Sequence, residues 1–521
     1  MQVDVISDRT ALEHLKPAWE SIYAADPEAH FFLSWTWMAQ YLPTLEDRWF
    51  ILAARPEREG AGYAALFPLR ISTGGKEGLF HNEINMAGNY AADYTGFICL
   101  PSACFEAAAA FAKRIREMRW SRFKADFIRA GDRRFDAFFS HFVDRELRMS
   151  TETRVNVDDN VDNCICPMVR LPEAWDAYLE TLSSNTRPKL RRFLKMIDRG
   201  ELRVTHADES TIARDVDRLL DLWKARWGDR KGDRLDAILT SNRRVLGQCL
   251  RDGALFMPVL WAGDRAVGAL AILLDRVKKT MLFYISGRDD SFTSPPPGFV
   301  LHAYAIHHAI AEGFTSYDFL RGDEPYKYMF GAENKFIKCV IVSTRNGRNL
   351  GDRLEPRTIP FVLSRATNLH QKGSLVEAMR AYRQILHTDP NHAETLFRGG
   401  QLLTVKRDFA GARSFFKQLL HIRPDSAKAW LHYGKSCEAL GKLKAAAAAY
   451  AEAARIEPKL EEARIALDEL MKHAPHTAGS HTGESRISRK NNAPSGQIWR
   501  SRVRPSSQLQ EGNATNLFAA K

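Results

Sequence analysis

Residues 294–310 read SPPPGFVLHAYAIHHAI, a run of prolines and a glycine leading directly into an apolar segment with helical spacing. The first turn of a helix leaves backbone N–H groups without intrahelical partners. Pro295, Pro296 and Pro297 have no N–H to donate, and their fixed φ pre-sets the chain to enter the helix. Gly298 has no side chain and permits a close approach to the backbone. The N–H groups of Gly298, Phe299, Val300 and Leu301 are then expected at the positive end of the helix dipole, with no carboxylate in the first turn to compensate it. Such an end suits a phosphate or diphosphate. Water capping at a surface turn would satisfy the same donors.

Other chemistry-bearing residues are sparser. Cys99, Cys104, Cys164, Cys166, Cys249, Cys339 and Cys437 are scattered and odd in number, which fits a reducing, cytoplasmic setting. Cys164 and Cys166 form the only close pair, and no second Cys/His pair lies at ligand spacing, so no metal is expected. His302, His307 and His308 include no i, i+4 pair on one helix face. RPKLRRFLK, residues 187–195, sets Arg187, Arg191 and Arg192 on adjacent turns. That face could draw in a phosphate-rich ligand, or simply be solvated. Trp35, Trp37, Trp223 and Trp227 read as core.

The elements that must position these residues come in three blocks. The first 350 residues alternate strands and helices and divide into two mixed α/β halves, 1–165 and 166–350. In the second, ALFMPVLWAGDRAVGALAILL is a hairpin around a tight turn, followed by the strand KTMLFYISG and the proline-led helix. Then a repeat begins. Pro390, Pro424 and Pro458 recur every 34 residues, as do Ala378, Ala412 and Ala446, and Tyr382, Phe416 and Tyr450. Ala366, Gly400 and Gly434 form a further register. This is the tetratricopeptide period, with small residues where paired helices touch and an aromatic filling the gap between them. Three repeats and a capping helix are expected over 359–472, an all-α solenoid suited to holding a protein partner. Residues 473–521 are rich in Ser, Gly, Asn and Arg, lack periodicity, and read as a disordered basic tail.

The chain has 521 residues and a formal net charge of +12. A positive surplus favours phosphate-bearing ligands, anionic membrane surfaces or nucleic acid. No nucleic-acid motif is present, so no nucleic-acid partner is expected. The tail is the candidate for peripheral contact with an anionic membrane. No uninterrupted apolar run reaches transmembrane length and the N-terminus lacks the pattern of a secretory signal, so the expected location is the cytoplasm.

The order hairpin, strand ending in YISG, glycine-led helix and strand YDFL resembles the core of the GNAT acyltransferase fold. SPPPGFVL stands in place of the arginine/glutamine–glycine loop signature common in that fold and resembles the CelD-like branch, named for cellulose biosynthesis and similar to the FemAB peptidoglycan aminoacyl transferases. FFLSWTWMAQYL (31–42), AGNYAADYTGF (87–97), LPEAWDAYLETLSSNTRPKLRRFLKMIDRG (171–200) and YDFLRGDEPYKYMFG (317–331) resemble motifs of that branch in the same order.

The resemblance implies an acyl-CoA co-substrate, most simply acetyl-CoA, whose diphosphate meets the helix at Gly298, Phe299, Val300 and Leu301. It implies that backbone N–H groups near Tyr284, Ile285 and Ser286 polarise the thioester. The acceptor would be a small-molecule amine, such as an amino-sugar precursor of a surface polysaccharide. Asp318 is the leading base and Tyr326 the donor to the departing thiolate; His302 is a secondary base. Asp93 and Tyr94 would line the acceptor side, with Arg187, Arg321 or Lys327 holding anionic parts of the ligands. The alternatives are a FemAB-like transfer from aminoacyl-tRNA and a non-catalytic scaffold with degenerate GNAT halves.

Overall fold

The computed structural model describes residues 1–472 apart from 59, 89 and 90. The basic tail expected from 473 onward lies outside the described residues. The chain forms two compact units, Met1–Val362 and a second beginning at Leu363.

The first unit is built on one mixed sheet. Its main path runs Gln2–Ile6, Trp49–Arg55, Ala65–Lys76, Leu79–Met86, Arg122–Arg129, Glu333–Thr344, Ile165–Arg170, Ser316–Asp318, Thr280–Arg288, Arg265–Asp275, Pro258–Ala262 and Arg203–His206. The sheet is therefore continuous through both halves of the sequence. The strand Glu333–Thr344, read from sequence as part of the second half, pairs antiparallel with Arg122–Arg129 from Ile337 to Ser343. It also pairs with Leu147–Glu152, and only its first residues pair with Ile165–Arg170. Its β-branched run KCVIVST suits a strand flanked on both sides.

Two local expectations change. YTGFICL was expected as a strand, but only Ile98–Cys99 is one, paired with Ala65 and Leu66. LFHNEINM shows little apolar alternation yet forms the strand Leu79–Met86. Its polar residues are consumed internally. Buried Asn82 donates through Nδ2 to Thr73 and Thr358, both at 3.0 Å, and accepts at Oδ1 from the Glu355 N–H at 2.9 Å. This ties residues 355–358 to the sheet.

In the first half the helices Cys104–Glu117 and Arg133–Ser140 cover one sheet face. Phe67, Phe97, Phe111, Phe135 and Phe138 interlock there in tilted and edge-on contacts. In the second half the hairpin turns at Gly263, whose φ of 60° is the left-handed value a tight turn requires. Helices Arg187–Asp198 and Pro297–Ala311 share an apolar cluster, joined where the Phe193 and Phe299 rings meet.

The second unit is helical. Ile359–Gln371, Leu375–Thr388, Ala393–Val405, Phe409–Ile422, Ala427–Ala439 and Leu443–Ile456 form the three pairs, and Glu461–Lys472 is the further helix. The alanine, glycine and aromatic registers correspond to buried positions, whereas Pro390, Pro424 and Pro458 are exposed in the turns between repeats. A Cβ on Gly400 would lie 2.6 Å from the Phe416 ring, and one on Gly434 would lie 2.5 Å from the Tyr450 ring. The small residue in each pair thus makes room for the aromatic plug.

Candidate active site

The strand Thr280–Arg288 runs parallel to Ser316–Asp318 for three pairs, Thr280 with Ser316, Met281 with Tyr317 and Leu282 with Asp318. There the two part. After Asp318 the chain turns through Leu320 and Gly322, at φ 57° and 100°, while the other strand continues alone on that side to Arg288. On its far side a bulge falls where Ile272 pairs with Phe283 but Ala271 pairs with Ile285. Tyr284 is the extra residue, left out of the regular ladder.

Beyond the split lies a cavity of about 430 Å³. The helix Pro297–Ala311 begins at its wall, with no side-chain cap and no acidic residue in its first turn. The set of free donors is narrower than the sequence implied. Val300 and Phe299 both donate to the Pro296 carbonyl, at 3.2 and 3.0 Å, and Leu301 is buried and away from the cavity. Phe299 lines the cavity beside Gly298. A Cβ on Gly298 would meet nothing within 4 Å, so open space faces that backbone.

The opposite wall is the helix Ile212–Lys231, which supplies Trp223, Arg226 and Trp227. It comes this close because position 287 has no side chain. A Cβ there would stand 2.3 Å from the Leu219 carbonyl oxygen and 3.0 Å from the Trp223 nitrogen. Trp223, read from sequence as core, is buried and also lines the cavity. Its indole N–H has no hydrogen-bond partner among the described residues. Such a buried orphan donor fits a ligand acceptor atom.

The halves face each other at this cavity. Asp93 from the first and Arg321 from the second both line it, with Arg321 Nε donating to Asp93 Oδ1 at 2.6 Å. Arg321 also lies over the Phe127 ring, 4.1 Å from its centroid. Tyr326 lines the cavity and stacks on His302 with centroids 5.7 Å apart. Burial holds the Tyr326 hydroxyl well above the usual tyrosine range, so it keeps its proton. His302 also lines the cavity, and its Nδ1 meets the Tyr317 hydroxyl at 2.9 Å. Burial, then the charge of Lys327, lowers it to about 3, so the ring is neutral.

Several sequence candidates lie elsewhere. Asp318 is 3% exposed and does not line the cavity. One oxygen accepts from the Tyr94 hydroxyl at 2.8 Å and the other from the Leu320 N–H at 2.7 Å. Burial raises the Asp318 carboxyl above its ordinary value, and burial followed by Asp318 raises the Tyr94 hydroxyl. The pair therefore joins the two halves and lies outside the cavity lining. Lys327 is buried, and its ammonium donates to the carbonyls of Arg321 and Gly322 at 2.9 and 2.8 Å and pairs with Glu324 at 2.8 Å. Its ammonium thus braces the loop that follows Asp318. Arg187 donates to the Leu182 carbonyl at 2.8 Å, away from the cavity. Tyr284 and Ile285 are buried, whereas Ser286 reaches the cavity.

The cavity also holds residues that the sequence reading passed over. Glu324 brings a carboxylate to its wall. Arg226 and Arg288 add positive charge to the lining, each pairing with Asp290, at 3.3 and 2.8 Å. Asp159 is committed to Arg230 at 2.9 Å, which holds its carboxyl below the ordinary value. Glu324 stood inside a recognised motif, but nothing in the spacing distinguished it from its neighbours. Arg226 carried no sequence signal beyond helical periodicity. Among the described residues no group of three or more His, Cys, Asp or Glu could hold a metal.

Residues 184–328 match the family model of the acetyltransferase (GNAT) domain, and residues 406–470 match that of the tetratricopeptide repeat. The chain thus contains a GNAT-type acetyltransferase domain and C-terminal tetratricopeptide repeats. Among solved structures it is similar to FemX, with 11% identity over 65% of this chain and 97% of that one, at a TM-score of 0.44. A conserved protein of Bacteroides thetaiotaomicron is 12% identical over 66% of this chain and all 100% of its own, at a TM-score of 0.40. The first tetratricopeptide domain of human RPAP3 is 21% identical over 22% of this chain and 92% of its own, at a TM-score of 0.22. No curated protein matches the chain. Among the described residues no helix is long and apolar enough to cross a membrane.

Proposed function

We propose that this protein is an acyl-CoA-dependent N-acyltransferase of the CelD-like branch. Its acyl group is most simply acetyl, and its acceptor is an amino sugar or related amine of a cell-envelope polysaccharide precursor. The repeats dock the enzyme to a protein partner in the cytoplasm. The observation that carries the reading is the start of the helix at Gly298, uncapped and open to a cavity at the point where two parallel strands separate.

The residues fit the coenzyme. The Gly298 amide, the adjacent helix end and the cations of Arg226 and Arg288 suit a diphosphate. The gap between Phe283–Arg288 and the turn after Asp318 suits an extended pantetheine arm. Bound there, the coenzyme supplies the acyl thioester. Backbone N–H groups around the Tyr284 bulge and Ser286 would polarise its carbonyl.

Amide formation joins the amine nitrogen to the acyl carbon and breaks the carbon–sulfur bond. One proton leaves the nitrogen and one reaches the sulfur. Glu324 takes the role first given to Asp318, because its carboxylate lines the cavity with one oxygen paired to Lys327, whereas Asp318 lies outside the lining with both oxygens occupied. Tyr326 remains protonated and serves as donor to the thiolate. The Trp223 indole N–H and the Asp93–Arg321 pair orient the acceptor.

The test is thiol release from acetyl-CoA by the purified full chain, assayed against a panel of amino sugars and nucleotide-linked amino sugars. Acceptor-dependent release supports the reading. Failure to bind acetyl-CoA at millimolar concentration rejects it, and transfer from aminoacyl-tRNA instead would favour the FemAB-like alternative.

A further inference from the structure

The basic helix Arg187–Asp198 is not absorbed by the cavity chemistry, yet its exposed face borders a separate groove of about 700 Å³. Arg191, Lys195 and Arg199 follow one another at i, i+4 and i+8 along one wall, with Arg192 beside them. The other wall contains Ser294 and Pro295. Those two residues immediately precede Pro296 and Gly298 in the main cavity, so the groove and the cavity lie on either side of one short loop.

The charges of the groove are unequal in sign and in commitment. Glu201 is its one acidic lining residue and stands 3.8 Å from Arg199. Arg191 approaches Asp176 at 3.7 Å. Arg192 and Lys195 have no carboxylate within ion-pair distance among the described residues. The helix is held in place from beneath, where the Phe193 ring packs edge-on against Phe299 with centroids 5.8 Å apart. The helix that carries these cations is thereby fixed relative to the helix start that carries Gly298.

We infer that this groove receives the 3′-phosphate and adenosine of the acyl-CoA, and that Arg192 and Lys195 are the residues that distinguish CoA from its 3′-dephospho form. The inference rests on the coenzyme reading of the main cavity. A ligand whose diphosphate lies at Gly298 leaves by way of the 294–296 loop. The next surface it meets carries uncommitted cations at the spacing of one helical turn. A phosphate monoester carries nearly two negative charges at neutral pH and accepts charge-assisted hydrogen bonds from such a pair.

The test is calorimetric titration of the full chain with acetyl-CoA and with 3′-dephospho-acetyl-CoA. The wild type is expected to bind the dephospho form roughly tenfold more weakly. The variant Arg192→Gln/Lys195→Gln changes exposed residues to good helix formers, and its melting temperature serves as the folding control. It should lose the same factor for acetyl-CoA and nothing for the dephospho form. Equal wild-type affinity for the two ligands overturns the inference while leaving the coenzyme reading intact, as does a variant weakened equally toward both. Absence of binding by either ligand overturns both.

Discussion

Replacing Gly298 with Asp should move stability and coenzyme affinity in opposite directions. The position is the second of its helix, has no acidic neighbour in the first turn, and leaves open space for 4 Å around any Cβ added to it. A carboxylate there is sterically free and complements the helix dipole, worth about 0.3–1 kcal/mol. The melting temperature of the free protein should stay level or rise by one or two degrees, on the order expected for a unit of this size. Toward a bound diphosphate the same charge is repulsive. At about 5 Å, one unit charge against another costs about 0.8 kcal/mol in water and about 3.3 kcal/mol at an effective dielectric of about 20. Acetyl-CoA affinity should therefore fall between about fourfold and about 250-fold. Gly298→Ala adds bulk without charge and separates the steric part. Titrations at about 0.05 and 0.5 M salt check the electrostatic origin, because the Asp penalty should shrink as screening increases. A folded Gly298→Asp protein that binds acetyl-CoA like the wild type would refute the placement of the diphosphate at this helix.

Other outcomes follow from the same geometry. Glu324→Gln should lower kcat by about 10²–10⁴ with little change in acetyl-CoA affinity, whereas Asp318→Asn should leave kcat within about tenfold and lower the melting temperature; steady-state kinetics and thermal melts on both variants distinguish base from brace. Gly287→Ala places a Cβ 2.3 Å from the Leu219 carbonyl, so the helix carrying Trp223 and Arg226 must retreat, at a cost of about 1–3 kcal/mol in urea unfolding. His302 is neutral in the fold, with its pKa lowered to about 3, so the unfolded chain binds more protons below about pH 6.5. Stability should fall on acidification from there toward pH 3 by up to about 1.4 kcal/mol per unit from this group, and His302→Gln, measured by urea unfolding at several pH values, should show a correspondingly shallower decline.

The helical repeats were legible because their signal is covariance at a fixed period: glycine or alanine at 366, 400 and 434 lies opposite an aromatic at 382, 416 and 450. The proline-led helix was legible for a different reason, since missing donors and missing acids are both visible as letters. Side-chain assignments within the site were harder. Asp318 stands out in YDFL because a lone acid among apolar residues is conspicuous, but its prominence reflects the Tyr94 hydroxyl and the Leu320 amide that occupy it. Glu324 sits among Asp323, Pro325 and Lys327, where charge is ordinary, and only the turn after Asp318 brings it to the cavity. The strand Leu79–Met86 escaped because Asn82 and Asn85 are buried through hydrogen bonds rather than apolar contact. Partners of that kind lie as far away as residue 358, beyond any local pattern.

The strand Glu333–Thr344 closes the first half while being reached only through the second. A fragment spanning 166–350 would carry this run of Val and Ile with its neighbours missing, an invitation to stack on other copies. In the intact protein the same strand joins the two halves by backbone pairing on both of its sides. Drawing one away from the other would break backbone pairing either between Ile337–Ser343 and Arg122–Arg129 or between Glu333–Phe336 and Ile165–Met168.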